Sequence, residues 1–251
     1  QNKCNSAHDK VCKHSDIIFV CVPTPMRPNG ECDTRIVENA VKEIEKCLEG
    51  LGLPKKTVVL KSTIPPGTTE RINQNLDSKN IDVCFSPEFL TEANSFDDFK
   101  NQTRIIIGGR TAATVKTMFR RAFPKIPIVV TKSETAETVK YFINCFLATK
   151  VTFANEMKQV CDGINIDFNK VVEYALYDDR IGRSHLSVPG PDGSLGFGGH
   201  CFPKDLNAII FIAEQAGITP KVLKSVWNKN LEVRKNSERD WENMKGRAVS
   251  D

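Results

Sequence analysis

Several common signatures are missing from this chain of 251 residues. Its nine cysteines, Cys4, Cys12, Cys21, Cys32, Cys47, Cys84, Cys145, Cys161 and Cys201, include no C-x-x-C pair. An odd number at irregular spacing speaks against a disulfide framework or a zinc module and for reduced thiols. No apolar run reaches the roughly 18 residues of a membrane span, and the N-terminus carries no secretory core, so a cytoplasmic protein with no membrane role is expected. Like charges form no block. The 35 basic and 31 acidic residues are interspersed, and the net charge of +4 does not call for nucleic acid; it only permits an anionic small molecule. Internal repeats and low-complexity tracts are also absent. What is present is 40% hydrophobic residues, enough for one large domain or two modest ones.

Their arrangement predicts an α/β chain. Residues 16–22 form a short apolar run closed by Pro23, the pattern of a parallel strand buried on both faces. Helical spacing of Ile36, Val37, Ala40, Val41, Ile44 and Leu48 predicts a helix over 34–49, followed by a strand over 57–60. The alternation continues with a helix over 67–76, strands over 82–85 and 104–107, a helix over 111–123 and a strand over 126–130. A partial doubly wound, Rossmann-like parallel sheet over residues 1–131 follows. From Ser133 the pattern changes to one long helix without a breaker until Gly163. Further helices are expected over 167–177, 204–216 and 220–236, making 132–251 a helical region.

One absence bears on function. A doubly wound dinucleotide fold places G-x-G-x-x-G after its first strand, where glycines let the backbone approach a pyrophosphate at a helix N-terminus. No such turn occurs in the sequence. The first fourteen residues are polar and unpatterned, and residues 244–249 read as the lead into a new strand. The expectation is a fragment or remnant lacking the front half of a cofactor site.

The strongest local signal is GFGGHCFPKD, residues 196–205, in which Cys201 stands between a glycine run and a helix start at Pro203. A helix N-terminus and nearby Lys204 both favour the thiolate, the nucleophilic form. The plainer alternative is that Cys201 is one more small buried hydrophobe. The glycines and the Lys204-Asp205 pair weigh against it. His185, His200 and Cys201 offer soft ligands, but adjacent His200 and Cys201 point apart and no second ligand pair exists, so no metal site is expected. The same proximity makes His200 a poor base for Cys201.

This cysteine segment resembles the active-site motif of the UDP-glucose and GDP-mannose dehydrogenase family. Residues 19–25 (FVCVPTP), 61–69 (KSTIPPGTT), 86–92 (SPEFLTE), 137–144 (ETVKYFIN) and 179–182 (DRIG) resemble family blocks and stand in the family's order. Residues 180–185 and 188–193 are most similar to the UDP-glucose branch, while GDP-mannose and UDP-N-acetylmannosamine remain alternative substrates. The resemblance covers the middle of a three-part architecture.

The resemblance implies NAD as cofactor and oxidation of a nucleotide sugar's primary alcohol to a carboxylate by two hydride transfers. Cys201 would attack the intermediate aldehyde, giving a thiohemiacetal and then a thioester that water cleaves. Lys140 and Asn144, four residues apart on one helix face, would steady the oxyanion. Asp205 would orient water or assist proton transfer, Thr63 would position water or the substrate hydroxyl, and Glu88 would serve thioester hydrolysis. Cofactor contacts are implied for Val22, Pro23, Thr24, Ser62, Thr63, Glu92 and Lys204. Substrate contacts are implied for Glu88, Phe89, Leu90, Glu92, Lys140, Asn144, Arg180, Gly196, Phe197 and Gly198. Arg180 would act across a homodimer built on the long central helix. The rival reading is a noncatalytic remnant that only binds or dimerises.

Overall fold

Strand-forming and helix-forming segments alternate through the first half of the chain, and the computed structural model, which describes residues 8–91 and 94–250, shows what they build. The chain divides into two units, one containing Asp33–Lys140 and the chain up to Thr24, the other Pro25–Cys32 with the chain from Tyr141 onward.

In the first unit, strands β1 (Ile17–Val20), β2 (Lys56–Leu60), β3 (Ile81–Phe85), β4 (Ile105–Gly108) and β5 (Ile128–Thr131) lie side by side in sequence order. β1, β2 and β3 are mutually parallel, as are β4 and β5. β4 departs from the all-parallel expectation by meeting β3 antiparallel at a single pair, Phe85 and Gly108. Among the described residues the link between them carries α4 (Ser95–Lys100) alone, too short to serve as the crossover helix that a parallel neighbour needs. Every residue of β2 is buried. Val58 and Leu60 face one apolar cluster and Val59 the other, as period-two alternation requires.

β1 differs from its expected double burial. Ile18 and Val20 are buried, but Phe19, on the opposite face of this edge strand, is 41% exposed. Helices α2 (Arg35–Gly50), α3 (Thr68–Gln74) and α5 (Ala112–Ala122) follow the predicted segments. Two elements were not legible in the pattern. One is α4; the other is α1 (His8–His14), which packs Val11 and Cys12 against the core.

Helix α6 (Ser133–Gly163) is continuous over 31 residues, about 46 Å at 1.5 Å per residue. Its first turns belong to the sheet unit. There Glu137, fully buried, accepts from the amides of Gly67 (2.6 Å) and Thr69 (2.9 Å) and so caps α3. Burial raises its pKa, against the pull of the Thr69 hydrogen bonds.

The second unit contains the rest of α6 with α7 (Phe168–Ala175), α8 (Phe202–Gln215) and α9 (Lys221–Val233). Leu206 and Ile210 of α8, Val226 of α9, Ala148 of α6 and Phe197 share one apolar cluster. The tail forms two 3-10 turns, Asn236–Glu238 and Asp240–Asn243, with Trp241 buried. Residues 244–249 do not extend as a strand. They close a turn, with Ala248 donating to the Met244 carbonyl and Gly246 to Val249, and Val249 makes only isolated bridges with Met26 and Lys245. Among the described residues no helix is long and apolar enough to cross a membrane.

Candidate active-site residues

Three of the motif blocks emerge together at the carboxyl ends of β1, β2 and β3, where open α/β sheets bind ligands. Ser62 staples two of these ends. Its hydroxyl accepts from the Val22 amide (2.9 Å) and donates to the Val22 carbonyl (2.6 Å). Thr24, Ser62 and Thr63 are buried, whereas Pro23 is exposed.

After β3, the chain is held by two lysines. Lys140 on α6 donates to the Glu88 carbonyl (2.7 Å) and to its Oε1 (3.0 Å), while Glu88 Oε2 accepts from the Leu90 amide (2.6 Å). Lys61 donates to the Pro87 carbonyl (3.1 Å). Phe89 lies between cations, with Arg104 4.2 Å and Lys140 5.7 Å from its ring centroid. A cavity of about 300 Å³ opens beside this segment, lined by Lys61, Glu88, Phe89, Leu90, Phe99 and Arg104 among others. Burial pushes the Lys61 ammonium down to about 8; Glu88 and Cys21 draw it upward, and Lys140 adds to the depression. Lys61 was not among the sequence-derived candidates. Its position beside Ser62 and Thr63 at a parallel strand end is the signal that could have found it. Glu92 lies outside the described residues.

In the second unit Cys201 is the N-cap of α8, partly exposed, with Pro203 in the helix's first turn. Lys204 and Asp205 follow within that turn, both buried, and the Lys204 ammonium meets Asp205 Oδ1 at 2.5 Å. Asn144 on α6 donates to Asp205 Oδ2, also at 2.5 Å. The carboxylate thus has one partner on each oxygen. Burial disfavours the Lys204 charge, but Asp205, then Cys32 and Cys201, more than offset it and the pKa rises. The cysteine sulfur is therefore within the field of a buried cation. Beneath this network Tyr141, Cys32 and Ala208 pack together, and burial, reinforced by Cys32 and Asp205, holds the Tyr141 phenol well above its usual range.

Other predicted residues are placed differently from a simple ligand-facing role. The Phe197 side chain is 4% exposed, with its ring against Phe202 and Trp227. Its amide donates to Asn230 Oδ1 (2.7 Å) and its carbonyl accepts from Asn230 Nδ2 (3.0 Å). Gly196 has a φ of +68° and no room for a side chain beside Asn230, and a Cβ on Gly198 would collide with Arg234 and Asp240. Arg180 is solvent-exposed and paired with Asp178. A larger cavity, about 490 Å³, includes Arg183 and Glu173 but none of the predicted residues. Among the described residues no group of three or more histidine, cysteine or acidic side chains could hold a metal.

The chain is similar to known proteins along most of its length. Residues 2–126 match the NAD binding domain, and residues 134–232 the central domain, of the UDP-glucose/GDP-mannose dehydrogenase family. UDP-glucose 6-dehydrogenase TuaD of Bacillus subtilis is 37% identical over 227 residues, covering 88% of this chain and 47% of that protein. A UDP-glucose dehydrogenase structure from Pyrobaculum islandicum superimposes with a TM-score of 0.80 at 34% identity, covering 90% of this chain and 52% of the other. The UDP-D-ManNAc dehydrogenase of Pyrococcus horikoshii gives 0.75 at 25% identity, over 91% of this chain and 53% of that one. The chain spans about half the length of the relatives it matches.

Proposed function

Because the chain belongs to the UDP-glucose/GDP-mannose dehydrogenase family and carries its NAD binding domain, we propose that it oxidises a nucleotide sugar, UDP-glucose, to the corresponding carboxylate with Cys201 as nucleophile. The carrying observation is Cys201 at the start of α8, next to the buried Lys204-Asp205-Asn144 network. The thiolate adds to the aldehyde carbon and its oxygen gains a proton, giving a thiohemiacetal. Loss of hydride from carbon and of that proton gives a thioester, and water then breaks the carbon–sulfur bond and releases carboxylate and thiol. NAD, when bound, accepts the hydrides.

Asp205, fixed by Lys204 and Asn144, is the group that orients water beside the sulfur. Within the sheet unit, Lys140 and Glu88 pair with each other and Thr63 is buried at the end of β2. The strand-end residues Val22, Pro23, Thr24, Ser62 and Thr63 fit a cofactor laid across the sheet's carboxyl edge. The glycine turn for the pyrophosphate is not among the residues of this sequence. In this reading residues 1–131 are the remainder of the NAD domain and 132–251 the central domain, working in the cytoplasm.

NADH absorbance measured with UDP-glucose, GDP-mannose and UDP-N-acetylmannosamine tests the proposal. Turnover should be fastest with UDP-glucose and fall at least about a thousandfold in Cys201→Ser. No NADH from any of the three would leave the binding or dimerising module as the function of this chain.

Dimerisation through α6 is supported by Phe142, Phe146 and Phe153, which are 70%, 57% and 61% exposed, far more than isolated surface aromatics require. Light scattering should show a dimer for the native chain and a monomer for Phe146→Lys with Phe153→Lys. A native monomer at micromolar concentration would exclude it.

A further inference from the structure

The loop that delivers Cys201 is held by polar groups that the chemistry itself does not use. Asn230, fully buried on α9, occupies both the amide and the carbonyl of Phe197. One helical turn later Arg234, whose side chain is 3% exposed, donates to Asp192 Oδ2 (2.7 Å), the Glu238 carbonyl (2.8 Å) and the Leu195 carbonyl (3.3 Å), with Asp240 Oδ1 at 3.5 Å. Asp240 in turn accepts from the Gly199 amide through both oxygens, each at 3.1 Å.

Gly199 is two residues before Cys201, and α8 begins one residue after it. That helix is fixed by Leu206 and Ile210 in the apolar cluster shared with Phe197. The short span carrying the sulfur is therefore pinned at both ends. A buried, fully committed Arg234 cannot swing aside, and this accounts for glycine at 198, where any Cβ would meet Arg234 and Asp240.

We propose that Asn230, Arg234 and Asp240 are positioning residues that set the 196–200 loop and through it the place of the Cys201 sulfur. The proposal deepens the assignment of Cys201 as nucleophile and rests on it for its catalytic meaning. None of the three touches the reacting atoms. Their effect is geometric, and misplacement of a reacting atom by about 1 Å can cost about a hundredfold in rate.

The test is the iodoacetamide alkylation rate of each cysteine in the whole chain, followed by peptide mass spectrometry across pH 6 to 10. Cys145 and Cys161, buried in the same unit, serve as internal references. Asp240→Ala should change the Cys201 rate at least about threefold while the two references stay unchanged, since Asp240 is itself 41% exposed and its truncation opens no core. Asp240→Asn, which keeps an acceptor for Gly199, should return the rate towards that of the native chain. Gly198→Ala, which presses on the clamp from the loop side, should alter Cys201 alone in the same way. An unaltered Cys201 rate in both Asp240→Ala and Gly198→Ala overturns the proposal. So does a rise of all three cysteines together, which is loosening of the fold. Alkylation needs neither NAD nor sugar, so turnover that survives Cys201→Ser would defeat the nucleophile assignment and leave this result readable.

Discussion

The two units solve the same electrostatic problem, a carboxylate held by a lysine, in different ways. Glu88 and Lys140 stand 52 residues apart in sequence, and the Glu88 side chain is 30% exposed. Asp205 and Lys204 are neighbours in one helical turn with side chains 1% and 9% exposed, and Asn144 takes the remaining oxygen. In the first pair the carboxylate stays open to solvent although Lys140 is 5% exposed, and in the second both partners are closed off. An ion pair with an open carboxylate can lose its lysine at little cost, because solvent compensates the carboxylate. A buried one makes each partner depend on the other, since removing one strands a charge in a low dielectric.

The largest expected effect breaks the buried pair. Asp205→Ala leaves Lys204 charged and Asn144 without its acceptor, and should cost about 3–5 kcal/mol in urea unfolding, whereas Lys140→Met, which leaves only the partly exposed Glu88 carboxylate unpaired, should cost about 1 kcal/mol or less. Replacing both partners, Lys204→Met with Asp205→Leu, should recover most of the loss. Equal effects of the two single substitutions would erase the distinction between the units.

A smaller effect sharpens it through pH. Lys61 in the fold loses its proton near pH 8, against 10.5 for an ordinary lysine, with Cys21 after β1, Glu88 after β3 and Lys140 on α6 as its charged surroundings. Between these values the unfolded chain binds more protons than the folded one, so stability gained from this group rises with pH through the window. Below pH 8 both states are protonated and the penalty of burying the charge is fully present. The stability of the native chain relative to Lys61→Met should therefore rise from pH 8 to 10 and be flat from pH 6 to 7. The high thiols of Cys84 and Cys145, raised by burial, act equally on both chains and cancel in the difference. A flat difference throughout would mean that Lys61 is solvated like a surface lysine.

Much of this was readable in the chain. The five strands and the long helices followed from apolar runs and helical periodicity, since burial of an element's face dictates where its apolar residues recur. α1 and α4 were missed because neither shows a sustained apolar face in the sequence: α1 offers only Val11 and Cys12 in a polar stretch, and α4 buries no residue. The motif residues Cys201, Lys204 and Asp205 stood out in one local segment, and their roles came from its resemblance to the family motif. Asn230 and Arg234 did not, although a visible signal existed: Asn230 occupies an inward position between Val226 and Val233, where an apolar residue was due. Asp240 had no such mark, being polar in a polar segment.

By itself the sequence determined which segments become helix or strand and that a cysteine would stand at the start of α8, because both depend on neighbours within a few residues. Only the tertiary structure decided which groups lock that cysteine's loop and which lysine is depressed. Those properties depend on residues far apart in the chain, Phe197 with Asn230 and Lys61 with Lys140, whose desolvation, hydrogen bonding and repulsion exist only once the fold has brought them together.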